Sequence, residues 1–314
     1  MRESYEGAAI TNTDLPQTTV FAHYVERFQG RTGDIYNGNT AATWSYDAPE
    51  FAKQIVLAGA GPTAYAFEDI YALGAINTSI SNLKLTAQYV QVTDVNMKAN
   101  FGAYGVTINK TDDISFYYTE ANYILPVSNF KLNFDANYRG SRAGDNLDTA
   151  HIDGNMIGLR AGFSELYGFG ASVAYTTVND DDDALLGLGN GPLCYTMLSI
   201  RGPLVFNGYS GMDSYKIATT YDFSKVGIMG LTSELAYVNA SQDASNASTI
   251  TTAAHTHADI DGYSVKVMYA VPALKGLSTD ITYVTYDKEV TNDTTSVVTK
   301  KDTDELWVNV NYKF

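Results

Sequence analysis

No stretch of this chain is long and apolar enough to cross a bilayer as a helix. Hydrophobic residues make up 45% of the 314, but they are dispersed, and a helical crossing needs about 20 in succession. Cysteine is almost absent. The single Cys194 excludes an internal disulfide framework, and no nucleophile motif surrounds it. Positive charge is scarce as well: 20 Lys and Arg against 35 Asp and Glu leave a net charge of −15. That balance excludes a nucleic-acid partner, whose phosphates need a basic surface. With four histidines, metal ligands are few. His255 and His257 share one face if extended, but no third ligand stands near, so no metal site is expected. No nucleophile elbow, phosphate loop or zinc-protease pattern appears, so neither an enzyme nor a cofactor is expected. The start, Met1-Arg2-Glu3-Ser4, runs into polar sequence without an apolar leader.

Present instead are 24 tyrosines, 26 glycines and an insistent alternation. At the end of the chain Leu306, Val308, Val310, Tyr312 and Phe314 alternate with Trp307, Asn309, Asn311 and Lys313. A period of two is a β-strand with one apolar and one polar face. Phe130, Leu132, Phe134, Ala136 and Tyr138 repeat the pattern against Lys131, Asn133, Asp135, Asn137 and Arg139. Three formal charges on that second face require water there.

Counting such segments gives thirteen strands, from Tyr5 to Phe314. Their connectors sort by length. Short turns fall at Asp14–Gln17, Ser81–Asn82, Leu125–Ser128, Ser224–Gly230 and Pro272–Gly276. Long polar loops fall at 29–65, 179–211, Ser241–Thr256 and Glu289–Asp302, and Asp94 to Asp113 reads as a structured loop rather than two short strands. Sorting of this kind belongs to outer-membrane barrels, with short turns on one side and long loops on the other. The expected fold is therefore all-β, a single transmembrane antiparallel β-barrel domain over 1–314.

The C-terminal third resembles the OprD family of substrate-specific outer-membrane channels, including related major porins of campylobacter-type bacteria. The resemblance rests on Asp213-Ser214-Tyr215-Lys216, Tyr221-Asp222-Phe223 and Val226-Gly227-Ile228-Met229-Gly230-Leu231-Thr232, the last similar to a strand, GxPGLT-type turn and strand. Met229 stands in place of the usual proline. Ala273 to Ser278 and Asp304-Glu305-Leu306 are similar to the last two hairpins, and Tyr5-Glu6-Gly7 onwards to the segment after the family's constriction loop. The family implies eighteen strands. Since bacterial single-chain barrels have even strand numbers, thirteen imply that about five N-terminal strands are missing; a complete barrel of 12 or 14 strands is the other reading. The resemblance also implies an outer-membrane diffusion channel for small hydrophilic solutes, with a preference for carboxylate-bearing nutrients such as amino acids.

With the apolar parity facing lipid, the other parity lines a lumen. It collects Lys84, Lys131, Arg139, Arg160, Lys216 and Lys266 from six strands, a set similar in kind to the family's basic ladder, offering an anion successive weak sites. Acidic candidates on the same parity are Asp135, Asp222, Glu234, Asp280 and Glu305. Loop 179–211, which opens on Asp180, Asp181, Asp182 and Asp183, is the candidate for a second constriction element, since the resemblance implies that the corresponding loop folds inward, and its carboxylates are also candidate oxygen ligands for Ca²⁺. The terminal Tyr312 and Phe314 resemble the signal read by the outer-membrane barrel assembly machinery. Expected partners are that machinery, outer-membrane lipid and lipopolysaccharide, small solutes, and further copies in a homotrimer. The competing reading is a structural or adhesive surface barrel whose loops carry the role.

Overall fold

The computed structural model describes residues 4–29, 51–58, 64–97, 99–101, 106–108, 110–188, 194–198, 208–242 and 256–313. In chain order its strands are β1 (Ser4–Asn12), β2 (Thr18–Gln29), β3 (Gln54–Ala58), β4 (Ala64–Ala66), β5 (Ile70–Asn77), β6 (Leu83–Asn96), β7 (Ala99–Phe101), β8 (Val106–Ile108) and β9 (Thr111–Val127). They continue with β10 (Phe130–Ala143), β11 (Asn155–Leu166), β12 (Phe169–Val178), β13 (Gly187–Leu188), β14 (Met212–Asp222), β15 (Leu231–Gln242), β16 (Thr256–Ala270), β17 (Leu277–Asn292) and β18 (Val298–Tyr312).

Thirteen of these form one antiparallel wall in the order β1-β2-β5-β6-β9-β10-β11-β12-β14-β15-β16-β17-β18. They are the thirteen strands that alternation predicts. Among the described residues β1 and β18 are the two ends of the path, each paired on one side only.

Differences from the expectation lie in the connectors. Asp94 to Asp113 is not a plain loop: β6 runs on to Asn96, β9 starts at Thr111, and β7 and β8 pair as a small hairpin between them. Leu125 to Val127 extends β9 rather than turning, so only residues 128–129 make the turn, with Ser128 at φ 51°. Pro126 is tolerated there because β6 pairing stops at Tyr123, leaving no partner on that side for a missing N–H. The long loop expected over Glu289–Asp302 is mostly strand, since β17 and β18 stay paired as far as Thr291 and Val298. Loop 29–65 holds β3 and the start of β4, and loop 179–211 holds β13.

The outward face is what water would reject. On β18, Leu306, Val308 and Val310 are exposed to 68%, 62% and 70%. Phe134 and Tyr138 on β10, Ile157 and Leu159 on β11, and Tyr215 and Ile217 on β14 are exposed likewise. A continuous apolar surface of this extent needs a lipid neighbour. Aromatic rings border it at two levels. Phe169, Tyr221 and Phe223 cluster at the short-turn end, and Tyr175 and Tyr215 meet nearer the loops. On the loop side, tyrosine hydroxyls donate to outward carboxylates: Tyr24 to Asp69 and Tyr175 to Asp213 at 2.7 Å, and Tyr283 to Asp304 at 3.0 Å. A ring with an apolar body and a polar tip suits the membrane–water boundary.

The buried core lies inside the wall. At the loop end the inward side chains are mostly apolar, with Ser141, Ser214 and Gln242 buried among them, and a second layer covers them. β3 pairs with β4 and with β13, carrying Ile55, Leu57 and Tyr65 against Phe28, Ile70, Val92, Ile114 and Leu185. The 3₁₀ helix Asp145–Ala150 adds Leu147 and Ala150. Further round, Leu186 and Tyr209 pack on Met156, Met212 and Ile260, and Leu198 packs on Ala236, Val238 and Val284. Among the described residues, a second and largely apolar layer thus covers part of the loop end, while the short-turn half of the inner face stays polar.

Candidate functional site

Strand register places the inward charges at levels. Pairing puts Lys84, Asn122, Asp135, Arg160, Ala174 and Lys216 in one row across β6, β9, β10, β11, β12 and β14. Glu234 and Lys266 lie opposite each other on β15 and β16, four residues closer to the short turns. Lys131 also sits at the short-turn end, paired with Glu165 at 2.6 Å. Arg139 is four residues further along β10 from Asp135, under the plug and only 8% exposed. The six expected cations therefore share the interior, but three form part of a ring rather than a column.

Three more of these cations have partners. Arg160 Nε donates to Asp135 Oδ2 at 2.8 Å, and Asn122 Nδ2 donates to Asp135 Oδ1 at 2.8 Å. Lys216 Nζ donates to the Met197 carbonyl at 2.6 Å. Arg139 Nη1 reaches the Leu186 carbonyl at 3.5 Å, and its guanidinium stands 4.7 Å from the centre of the Tyr118 ring.

The loop between β12 and β14 folds inward onto this row. Its descending arm is held by the Leu185 N–H on Ser141 Oγ at 3.0 Å and by β13 pairing with β3. The segment 194–198 then crosses the inner face, with Thr196 bonded to Thr176 at 2.7 Å. Tyr195 Oη donates to Glu120 at 2.6 Å, and its ring lies 4.6 Å from the Arg160 guanidinium. Burial, helped by Glu120, holds the Tyr195 phenol well above its ordinary pKa, and burial likewise pushes up the Cys194 thiol. Both groups are neutral at physiological pH.

Between loop and wall a cavity of about 970 Å³ remains. Phe21, Val25, Val90 and Leu186 form its apolar side, and Glu120, Arg139 and Tyr195 its polar side.

Several expected acidic residues serve the fold. Asp222 ends β14, where its carboxylate accepts the Ser224 N–H and caps the 3₁₀ turn Phe223–Val226, away from the inward loop. Asp183, 1% exposed, accepts the Ser210 N–H at 2.8 Å and ties together the two ends of loop 179–211. Asp182 meets His151 at 3.0 Å, and Asp180 and Asp181 are exposed at the loop root. Among the described residues no group of carboxylates, histidines or cysteine is arranged to hold a metal. Asp280 binds Asn309, and Glu305 accepts from Trp307. Tyr312 is outward and exposed. Phe314 and His255 lie outside the described residues.

Glu120, Asn137, Tyr118 and Tyr195 were absent from the expected set. The first three lie on the polar parity of strands already recognised, so the alternation rule reaches them. Tyr195 carries no sequence signal, because its position depends on how a long loop folds back.

An apolar belt outside, charged rows inside and a loop folded across the interior define a porin-type transmembrane β-barrel protein. The family model described as outer membrane porin, OprD family, matches residues 106–314, two thirds of the chain. The chain belongs to that family, and its place is the outer membrane of a Gram-negative bacterium. Solved structures agree on the fold. Acinetobacter baumannii OccAB3 matches with a TM-score of 0.74 at 15% identity, over 99% of this chain and 68% of that one. Pseudomonas aeruginosa OccK8 (OprE) matches at 0.69 and 18%, over 99% and 70%. OccK10 (OpdN) of the same organism matches at 0.68 and 18%, over 99% and 73%. A search of curated protein sequences finds no match.

Proposed function

We propose that this porin passes small hydrophilic solutes by diffusion and favours those bearing a carboxylate, such as amino acids. The observation that carries the proposal is the common inward parity of Lys84, Lys131, Arg139, Arg160, Lys216 and Lys266 on six strands, spread over three levels. An anion moving inward from the loop side meets Arg139, then the Arg160 row, then Lys131 or Lys266. Lys131, Arg139, Arg160 and Lys216 are already partly compensated by a carboxylate or carbonyl, which keeps single sites weak enough to release what they bind. The inward loop 179–211 supplies the constriction above that row, and Asp135 and Glu234 set a transverse field with the cations. No catalytic role is proposed for any residue. The terminal Tyr312 and Phe314 act as the assembly signal.

Planar-bilayer recording of the full-length protein tests this. Reversal potentials in a salt gradient should show a preference for anions that falls when Arg139 and Arg160 are both changed to alanine. Unchanged selectivity would remove the ladder. Absence of any current would favour a structural or adhesive barrel instead.

A further inference from the structure

Two side chains beneath the constriction are buried with hydrogen-bonding capacity unused. Asn137 is 5% exposed, and neither its Oδ1 nor its Nδ2 has a partner among the described residues. Arg139 is 8% exposed, and its Nε is likewise unpartnered. They are i and i+2 on β10, so both face inward. Leaving such groups unpartnered is costly in a purely structural role, and two adjacent cases on one inner face point to a ligand.

Tyr195 stands over Asn137, and Arg139 lies beyond it against the Tyr118 ring. Gly158 lies directly across from Asn137 in the β10–β11 register. A Cβ built on Gly158 would stand 2.6 Å from Asn137 Oδ1 and 3.2 Å from Tyr195 Cδ2. The tyrosine ring edge and the unused amide therefore meet over a glycine that leaves them room. The ring is held from the far side by Glu120, itself opposite Asn137 on β9, and by the Arg160 guanidinium. The backbone on its C-terminal side is fixed independently, Thr196 to Thr176 and the Met197 carbonyl to Lys216. A rotation of the Tyr195 side chain thus breaks one hydrogen bond and one ring contact without unfolding the segment.

We infer that Tyr195 is a gate over a recognition pocket, in which Arg139 and Asn137 take a small carboxylate bearing a neighbouring hydroxyl or amine. The inference rests on the channel reading above. The chemistry follows from the donor and acceptor count. Arg139 Nε–H and Asn137 Nδ2–H donate to the carboxylate, and Asn137 Oδ1 accepts from the adjacent hydroxyl or amine. A carboxylate without that neighbour leaves the amide oxygen unpaired. The 970 Å³ cavity beside Tyr195 and Arg139 gives such a solute access.

Lactate and propionate are suitable probes, being monoanions of similar size that differ in one hydroxyl. Each is measured against chloride by reversal potential with the full-length protein in planar bilayers. Tyr195→Ala should raise lactate permeability relative to propionate by about threefold to tenfold, the range of one hydrogen bond. Tyr195→Phe keeps the ring but loses Glu120, and should give a smaller rise. Adding Asn137→Ala to Tyr195→Ala should return the ratio to that of two ordinary anions. Retention of the heat-shifted electrophoretic band shows that each variant is folded. An unchanged ratio in folded Tyr195→Ala, or a gain that survives Asn137→Ala, overturns the gate while leaving the channel intact. A wild-type protein that carries no current overturns both.

Discussion

At the scale of single residues, the inner and outer faces ask for different things from the same side-chain types. A tyrosine facing out spreads its ring in lipid and hands its hydroxyl to an aspartate at the boundary, as Tyr175 does with Asp213. A tyrosine facing in, such as Tyr195, is committed to one carboxylate and one guanidinium. Glycine is required where a turn takes positive φ against a neighbouring carbonyl. Gly230, at φ +81° in the β14–β15 turn, would place a Cβ 2.1 Å from the Ala270 carbonyl oxygen. Gly230→Ala should therefore destabilise the barrel by about 1–3 kcal/mol, read as a lower temperature for loss of the folded electrophoretic band. Asp153 lies in the β10–β11 loop, where burial pushes its carboxyl above the usual value against the pull of the Ala143 N–H and Arg142. A raised folded pKa means the ionised form is disfavoured by the fold. Its stability contribution is present below the ordinary carboxylate value and is lost as pH rises through the raised one. Asp153→Asn should flatten thermal stability across that window, measured by unfolding at stepped pH; an unaltered profile would show that the group is not strained.

Among the elements, the division of labour is between the wall and what it encloses. Wall strands between β1 and β18 owe their stability to paired backbones on both sides, and their side chains are free to be greasy outward and polar inward. The plug of β3, β4 and β13 is small and holds its place through buried apolar contact. Leu185 (1% exposed) and Leu57 (0%) are its anchors on the wall. Leu185→Ala should cost about 2–5 kcal/mol of local stability without altering the wall. The expected signature is faster limited proteolysis within 179–211 and noisier single-channel current, with the heat-shifted band retained. A barrel that loses that band as well would mean the plug and wall fold as one unit. The wall strands were legible because a period of two survives for eight residues or more. The short pieces were not: β13 has only Gly187 and Leu188, and two residues carry no period. Asp94 to Asp113 hid its hairpin for the same reason.

For the molecule as a whole, the formal charge of −15 and the inward cations pull in opposite directions. Carboxylates crowd the loop-side rim, with Asp261, Asp287 and Asp302 directly opposite one another on β16, β17 and β18. The inner rows carry the lysines and arginines. Rim charges act at a distance and are screened by salt, whose Debye length falls from about 10 Å at 0.1 M to about 3 Å at 1 M. Ion selectivity should therefore become more anionic as salt rises, because the inner cations act at contact and the rim does not. Reversal potentials at equal concentration ratio but increasing absolute salt measure this, and a shift toward cations would show that the inner cations, not the rim carboxylates, are the charges screened.

The sequence by itself determined the strands of the wall, which parity meets lipid, and which cations enter the interior, since alternation is a local property fixed by the pleat. It also carried the family, through short turn patterns that need no long-range contact. Only the tertiary structure decided which inward residues stand at one level, because register is set between strands and not along them. It alone turned Asp183 and Asp222 from candidate pore carboxylates into ties of the fold, and it alone brought Tyr195 from a long loop onto Glu120. The reason is the same in each case: a side chain's partner across the interior is fixed by how a loop closes, and a loop has no periodicity to read.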